Sequence, residues 1–265
     1  MTQERTQEFT EISVVEHGEI PGEAGPYARK RLGSVVGAIS EPVLHTRVKL
    51  TQAPDPARDR PAEAEITVDV NGDLVRAHVA GHTMLEAIDL LRGRLTDQLE
   101  HRHERQRTRH RRPEASVPGE WRHGDRPTER PRHFERPVDE RRLLQHKSYV
   151  IEEATPDEAA FDMEQLDFDF FLFRELGTGQ EALIERTGGG AYRLTRLDGA
   201  ATDPGPTAIE VTVAGQAAPV LDLDQAQDHL AVGGEPFVFY ADAATGRGHV
   251  LYLRYDGHYG LVAPE

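Results

Sequence analysis

The chain has 265 residues, a formal net charge of −15 and no cysteine. This length is sufficient for two or three small domains. The lack of cysteine excludes disulfides, thiol catalysis and thiolate metal sites, and no apolar run approaches the ~20 residues that a membrane span requires. The first residues, MTQERTQEFTEI, are polar and acidic, unlike a signal peptide, so we expect a cytoplasmic protein.

Residues 9–100 have the pattern of one α+β domain. The periodicities predict a strand over 9–15, a helix over 23–39, and strands over 43–50, 64–70 and 74–80. Ile66, Val68 and Val70 alternate with polar residues, as in a half-buried strand, and Asn71-Gly72 is a strong hairpin signal. With a second helix after residue 83, the predicted order is β-α-β-β-β-α, a four-stranded sheet with two helices on one face.

The second helix changes character halfway along. Thr83 and Glu86 have the spacing of a capping box. An apolar stripe follows at three- and four-residue steps: Met84, Ile88, Leu91, Leu95 and Leu99. Beyond it the helix-compatible sequence is rich in arginine and histidine, which suits contact with a phosphate backbone. On charge alone, a solvated helix end running into a charged linker is an equally good interpretation.

The charge of the chain is unevenly distributed. Residues 1–100 carry −6, residues 101–145 carry +5 and residues 146–265 carry −14. Such asymmetry indicates a division of labour between regions, in which only the N-terminal half could offer a basic surface to RNA.

Residues 108–142 read as a flexible linker, because prolines interrupt any helix or strand and apolar residues are few. Trp121 and Phe134 are isolated aromatics in it, equally compatible with stacking on RNA bases and with no role.

The C-terminal half contains one module twice, over 143–198 and 207–265. Corresponding residues lie 66 or 67 apart, and each copy reads as a strand, a short helix and a three-stranded meander. Units of about 50 residues need a partner surface. Because the second copy follows on a short tether, we expect the copies to pair within the chain. The aromatic strands would form the contact through Phe171, Phe173, Phe237 and Phe239.

Catalytic and metal-binding interpretations have little support. His101, His103 and His110 lie among arginines without the ligand spacing of a metal site. The glycine-rich stretches at 177–179 and 188–190 lie between strands, so they read as hairpin turns rather than phosphate loops. We therefore expect no enzyme activity, cofactor, metal or small-molecule substrate.

The first domain resembles the ribosome hibernation-promoting factors in its element order, its Val70-Asn71-Gly72 turn and the run from Gly81 through Leu99. The resemblance implies a fold similar to double-stranded-RNA-binding domains. It also implies binding to the small ribosomal subunit, at the decoding region of the mRNA and tRNA channel, and inhibition of translation. By position, Arg31, Arg94, His101, His103 and Arg105 fall on or near basic sites of the family, whereas Asp97 and Ser34 replace usual basic residues. Together with the charge pattern, the predicted RNA-binding residues are Lys30, Arg31, Arg94, His101, Arg102, His103, Arg105 and Arg109.

The first C-terminal copy, with its Asp169-Phe170-Phe171-Leu172-Phe173 strand, resembles the C-terminal domain of the long-form factors, whose homodimers join two ribosomes. The duplication is similar to a dormancy- and hypoxia-linked actinobacterial variant of the family. The resulting prediction is a stress-response factor with a ribosome-binding domain at 1–107, which silences and stabilises single ribosomes without dimerising them. The alternative is a protein–protein adaptor with an acidic C-terminal half and an N-terminal domain that has lost RNA binding.

Overall fold

The computed structural model describes residues 12–54, 59–109, 136–187 and 190–265. These residues divide into two compact units, one of 12–54, 59–109 and 165–167, the other of 136–164, 168–187 and 190–265. The predicted α+β class is confirmed. Most of the predicted linker, including Trp121 and Phe134, lies outside the described residues, and the predicted domain limits stay a prediction.

The first unit has the predicted order. Its elements are β1 (Ile12–His17), α1 (Ala24–Val36), β2 (Val43–Gln52), β3 (Ala62–Val70), β4 (Asp73–Gly81) and α2 (Met84–Arg109). The sheet order is β1-β2-β3-β4, with β1 parallel to β2 and the other pairs antiparallel. Both helices pack on one face of the sheet around a single apolar core.

Local sequence accounts for the turns and ends of this unit. Asn71 and Gly72 both have positive φ, +57° and +98°, as the tight β3–β4 hairpin requires. The Thr83 hydroxyl accepts a hydrogen bond from the Glu86 N–H at 3.2 Å, and the Glu86 carboxylate accepts from the Thr83 N–H at 3.4 Å. This confirms the capping box that was expected at the start of α2.

The second unit contains two five-stranded sheets and two helices. Its elements are β5 (Leu143–Tyr149), β6 (Glu153–Ala154), α3 (Pro156–Gln165), β7 (Phe170–Glu175), β8 (Glu181–Arg186), β9 (Tyr192–Arg196), β10 (Val211–Val213), β11 (Val220–Leu221), α4 (Leu223–Gly233), β12 (Phe237–Asp242), β13 (Gly248–Leu253) and β14 (Tyr259–Pro264). The sheet orders are β10-β9-β8-β7-β6 and β11-β12-β13-β14-β5.

The two copies exchange their leading strands. β5 precedes the first copy in sequence but pairs in parallel with β14 of the second, and β10 precedes the second copy but pairs in parallel with β9 of the first. Each sheet is therefore completed by a strand from the other copy. The sequence predicted both strands but assigned each to its own copy, because similar repeats offer two equivalent edges and local patterns do not choose between them.

The two sheets follow one register, with a constant offset of 67 residues. Phe170 is opposite Glu185 as Phe237 is opposite Tyr252, and Glu153 pairs with Arg174 as Val220 pairs with Ala241. The strand Phe237–Val238–Phe239 thus corresponds to Phe170–Phe171–Leu172, one residue earlier than the sequence comparison suggested.

The second unit has four layers, in the order α3, first sheet, second sheet and α4. α3 covers one face of the first sheet and α4 one face of the second. The other faces share one apolar cluster, in which Leu172 and Leu183 of the first copy meet Phe239 and Val250 of the second.

Candidate RNA-binding surface

The predicted basic residues of α1 lie on its solvent side. The buried positions Ala24, Ala28 and Leu32 repeat at four-residue steps against the sheet, so Lys30 is exposed and Arg31 lies at the edge of the buried face.

Arg31 is held by an acid from α2. Its guanidinium lies 2.6 Å from the Asp89 carboxylate, and the Tyr27 hydroxyl donates to the same carboxylate at 3.0 Å. The Arg31 guanidinium also lies 5.6 Å from the centre of the Tyr27 ring. The hydrogen bond to Asp89 and its negative charge raise the pKa of Arg31, which is a cation at any physiological pH. Sequence reasoning found Arg31 but missed Tyr27 and Asp89, although Tyr27 and Arg31 have the i,i+4 spacing of helix neighbours.

The middle of α2 is not a basic surface. Asp89, Asp97 and Glu100 are exposed there, with Arg92 as the exposed basic residue between them. Phosphate would therefore meet mixed charge over this stretch.

Two of the predicted RNA contacts face inward. Ala87, Leu91, Leu95 and Gln98 are buried along α2, and Arg94 and Arg102 continue that buried side at helical spacing, with 6 % and 4 % of their surface exposed. The prediction that they present their charges to RNA is corrected by this placement. The spacing of residues 91, 95, 98 and 102 was the signal in the sequence, hidden by the arginine-rich run around it.

Arg102 is bound at one end of the sheet. Its Nη1 donates to both Glu41 carboxylate oxygens, at 2.8 and 2.7 Å, and its Nη2 donates to Asp73 at 2.9 Å and to the Val70 carbonyl at 3.4 Å. Burial alone would lower the pKa of Arg102, but the hydrogen bonds to the two carboxylates raise it overall.

The remaining predicted residues lie at the far end of α2. His101 is partly exposed and His103 is exposed, and the helix continues to Arg109; the side chains of Arg105 and Arg109 lie outside the described part. Arg31 contacts α2 at Asp89. Residues 101 to 109 follow Asp89 by about 12 to 20 positions, which is about 18 to 30 Å along a helix. The structure thus separates the α1 residues from the end of α2 rather than joining them in one patch.

The contact between the C-terminal copies contains two of the four predicted aromatic residues, Phe237 and Phe239, together with Phe170. The rings of Phe170 and Phe237 lie 4.7 Å apart, and Phe237 and Phe239 belong to the shared cluster. Phe171 and Phe173 instead pack in the cluster beneath α3. Successive strand residues point to opposite faces, so the one-residue error in register placed the wrong pair at the contact.

A buried carboxylate joins the same two copies. Glu181 of β8 accepts hydrogen bonds from the Arg247 guanidinium at 2.5 Å and from the Gly248 N–H at 2.6 Å, and 8 % of its side chain is exposed.

Within the ranges that the structure describes, no three histidine, aspartate or glutamate side chains converge as metal ligands would. The helices in those ranges are also too short or too polar to cross a membrane.

Two solved structures are similar to about a third of this chain. The N-terminal domain of Thermus thermophilus Protein Y is 26% identical over 34% of this chain and 94% of that chain, with a TM-score of 0.28. A ribosomal subunit interface protein from Coxiella burnetii is 15% identical over 35% of this chain and 97% of its own, also with a TM-score of 0.28.

Sequence comparison covers nearly the whole chain. The family model of the sigma 54 modulation protein/S30EA ribosomal protein matches residues 14–107, and the model of its C terminus matches twice, at 138–194 and 213–261. A dormancy associated translation inhibitor of Mycobacterium tuberculosis is 31% identical over 97% of this chain and 90% of that protein, in two strains of the organism. The chain therefore belongs to the sigma 54 modulation/S30EA ribosomal protein family, the long-form ribosome hibernation factors, with the C-terminal domain of that family present in two copies.

Proposed function

We propose that this protein is a ribosome hibernation factor that binds the small subunit in its mRNA and tRNA channel, inhibits translation and keeps single idle ribosomes intact. The observation that carries the proposal is the change in character along α2. The helix is anchored by a buried apolar stripe as far as Leu95, and then continues as a histidine- and arginine-rich helix to Arg109. The similarity to a dormancy associated translation inhibitor also supports a role in inhibiting translation.

The RNA contact is assigned to two separate places. The main one is the end of α2, with His101, His103, Arg105 and Arg109, where the sequence is basic and the apolar stripe has ended. The second is Lys30 with Arg31 on α1, where Asp89 neutralises part of the charge. Arg94 and Arg102 are left out of the contact set, because both are buried.

The C-terminal half supports action on single ribosomes. Each copy receives its fifth strand from the other, and the shared cluster buries Leu172, Leu183 and Val250. Surfaces that a single copy would offer to a second chain are thereby satisfied within one chain. The tether between the copies is short, so pairing within the chain has the advantage of effective concentration over pairing between dilute chains.

Co-sedimentation with isolated small subunits tests the RNA contact. Arg105→Glu/Arg109→Glu should lose binding, while Arg142→Glu/Arg193→Glu, the same charge change at exposed positions of the second unit, should not. Wild-type binding should also fall steeply as salt rises, because phosphate contacts release counterions. Equal binding by both double variants would contradict the assigned surface, and a wild type that binds no subunits at low salt would favour the adaptor interpretation.

A further inference from the structure

Arg102 is buried at the point where α2 leaves its apolar support. Leu91 and Leu95 are fully buried and Leu99 is partly buried, and the sequence beyond them is polar. A polar helix end of about ten residues does not hold its conformation in water unaided, since most helical stability in proteins comes from packing. Arg102, with 4 % of its surface exposed, is the final buried residue among those of α2 whose side chains are described.

The partners of Arg102 come from two different connections, the one between α1 and β2 and the β3–β4 hairpin. Glu41 lies between α1 and β2, Val70 is the end of β3, and Asp73 is the start of β4. The Asn71 N–H also donates to the Pro42 carbonyl at 2.8 Å, which ties the two connections together. One guanidinium therefore joins the base of the α2 end to a fixed edge of the domain.

These contacts prevent Arg102 from acting as a phosphate ligand. Both Nη atoms donate to oxygen atoms of the protein, Nη1 to the Glu41 carboxylate and Nη2 to the Asp73 carboxylate, and such charge-assisted hydrogen bonds are stronger than neutral ones. Release of the side chain towards RNA would leave the Glu41 and Asp73 carboxylates without this guanidinium near the negative backbone.

We propose that Arg102 is a positioning residue, which with Glu41 and Asp73 fixes the direction of the basic end of α2. It follows that these two acids support RNA binding although they carry the charge that repels RNA. This inference rests on the proposed function, because the direction of the helix end matters only if that end contacts the ribosome.

The sign of one substitution distinguishes positioning from direct contact. Glu41→Gln/Asp73→Asn removes two negative charges and the partners of Arg102. If Arg102 contacted phosphate directly, this variant would bind the small subunit more tightly. If Arg102 positions α2, the helix end of this variant is correctly placed only part of the time. If about one tenth of the molecules have the helix end in the binding position, binding weakens about tenfold. Asp97→Asn/Glu100→Gln removes the same charge from exposed positions of the same helix and should bind at least as well as the wild type.

A distance measurement separates failure of this inference from failure of the proposed function. The chain has no cysteine, so Leu44→Cys, an exposed position on β2, and Arg107→Cys can carry a specific spin-label pair. The distance distribution should be narrow in the otherwise wild-type chain and with Asp97→Asn/Glu100→Gln, and broad with Glu41→Gln/Asp73→Asn. A narrow distribution in the last variant, or binding equal to or tighter than wild type, would overturn the inference. A wild type that binds no small subunits would overturn the proposed function. The label distances would still test whether Arg102, Glu41 and Asp73 fix the direction of the end of α2.

Discussion

Removal of one partner from the buried ion pair between Arg196 and Glu175 should strongly destabilise the first C-terminal copy. The side chains are 1 % and 2 % exposed, and the guanidinium donates to the two carboxylate oxygens at 2.5 and 2.7 Å. Nη1 also donates to the carbonyl oxygens of Ala200 and Thr202, at 2.6 and 2.7 Å. Arg196 thus holds the connection that leads from β9 towards the second copy.

Arg196→Met should destabilise this copy by about 3 to 5 kcal/mol, because it leaves the Glu175 carboxylate buried without a countercharge. Arg196→Met/Glu175→Gln should recover about 2 kcal/mol of that loss, because the buried charge is removed with its partner. Arg193→Met is the matched control on the same strand. Its side chain is 53% exposed and pairs with Glu185 at 3.2 Å, so its loss should cost less than about 1 kcal/mol.

Amide hydrogen exchange followed by mass spectrometry is the appropriate assay, since a chain of two units does not unfold in one transition. Peptides covering β7, β8 and β9 should lose protection in Arg196→Met and keep it in Arg193→Met. Equal losses below about 1 kcal/mol in both variants would mean that Glu175 is not left as a buried unpaired charge, because such a charge costs about 3 to 5 kcal/mol.

Three further outcomes follow from the described contacts. Truncation after Asp203 removes β10 and β14 with the rest of the second copy and exposes the shared apolar cluster, so light scattering should show association of the truncated chain and a monomer for the full chain; a stable truncated monomer would contradict the strand exchange. Asp89→Asn releases Arg31 and removes one negative charge, which should tighten small-subunit binding about two- to threefold and steepen its salt dependence; weaker binding would mean that Asp89 orients Arg31 productively. Burial raises the pKa of Glu175, but the hydrogen bonds from Arg196 and Thr178 lower it overall. The contribution of Glu175 to stability is therefore complete above pH 4.5, the ordinary pKa, and is lost as the pH falls through the lowered pKa. Circular dichroism against pH should show this loss in the wild type and not in Arg196→Met/Glu175→Gln.

The fold of the first unit could be predicted because its signals are local. The capping box of Thr83 and Glu86, the Asn71-Gly72 turn and the alternation along β3 each depend on neighbours within a few residues. The reciprocal exchange of β5 and β10 has no such signal. The partner of β5, β14, lies more than 100 residues further along the chain, and the edge strands β9 and β14 occupy equivalent places in the two copies.

The site was predicted less well than the fold, for two physical reasons. In the run Phe170–Phe173 every residue is apolar, so alternation could not decide which side chains face the other copy. In the arginine-rich end of α2, charge suggested exposure for Arg102, whereas Glu41 and Asp73, distant in sequence, make its burial possible.

A density-gradient profile of ribosomes incubated with the full-length protein tests whether it binds and silences single ribosomes. We expect the protein to sediment with small subunits and single ribosomes, without a ribosome-dimer peak. Protein that remains at the top of the gradient at low salt, or a ribosome-dimer peak that depends on Phe170 or Phe237, would contradict this expectation.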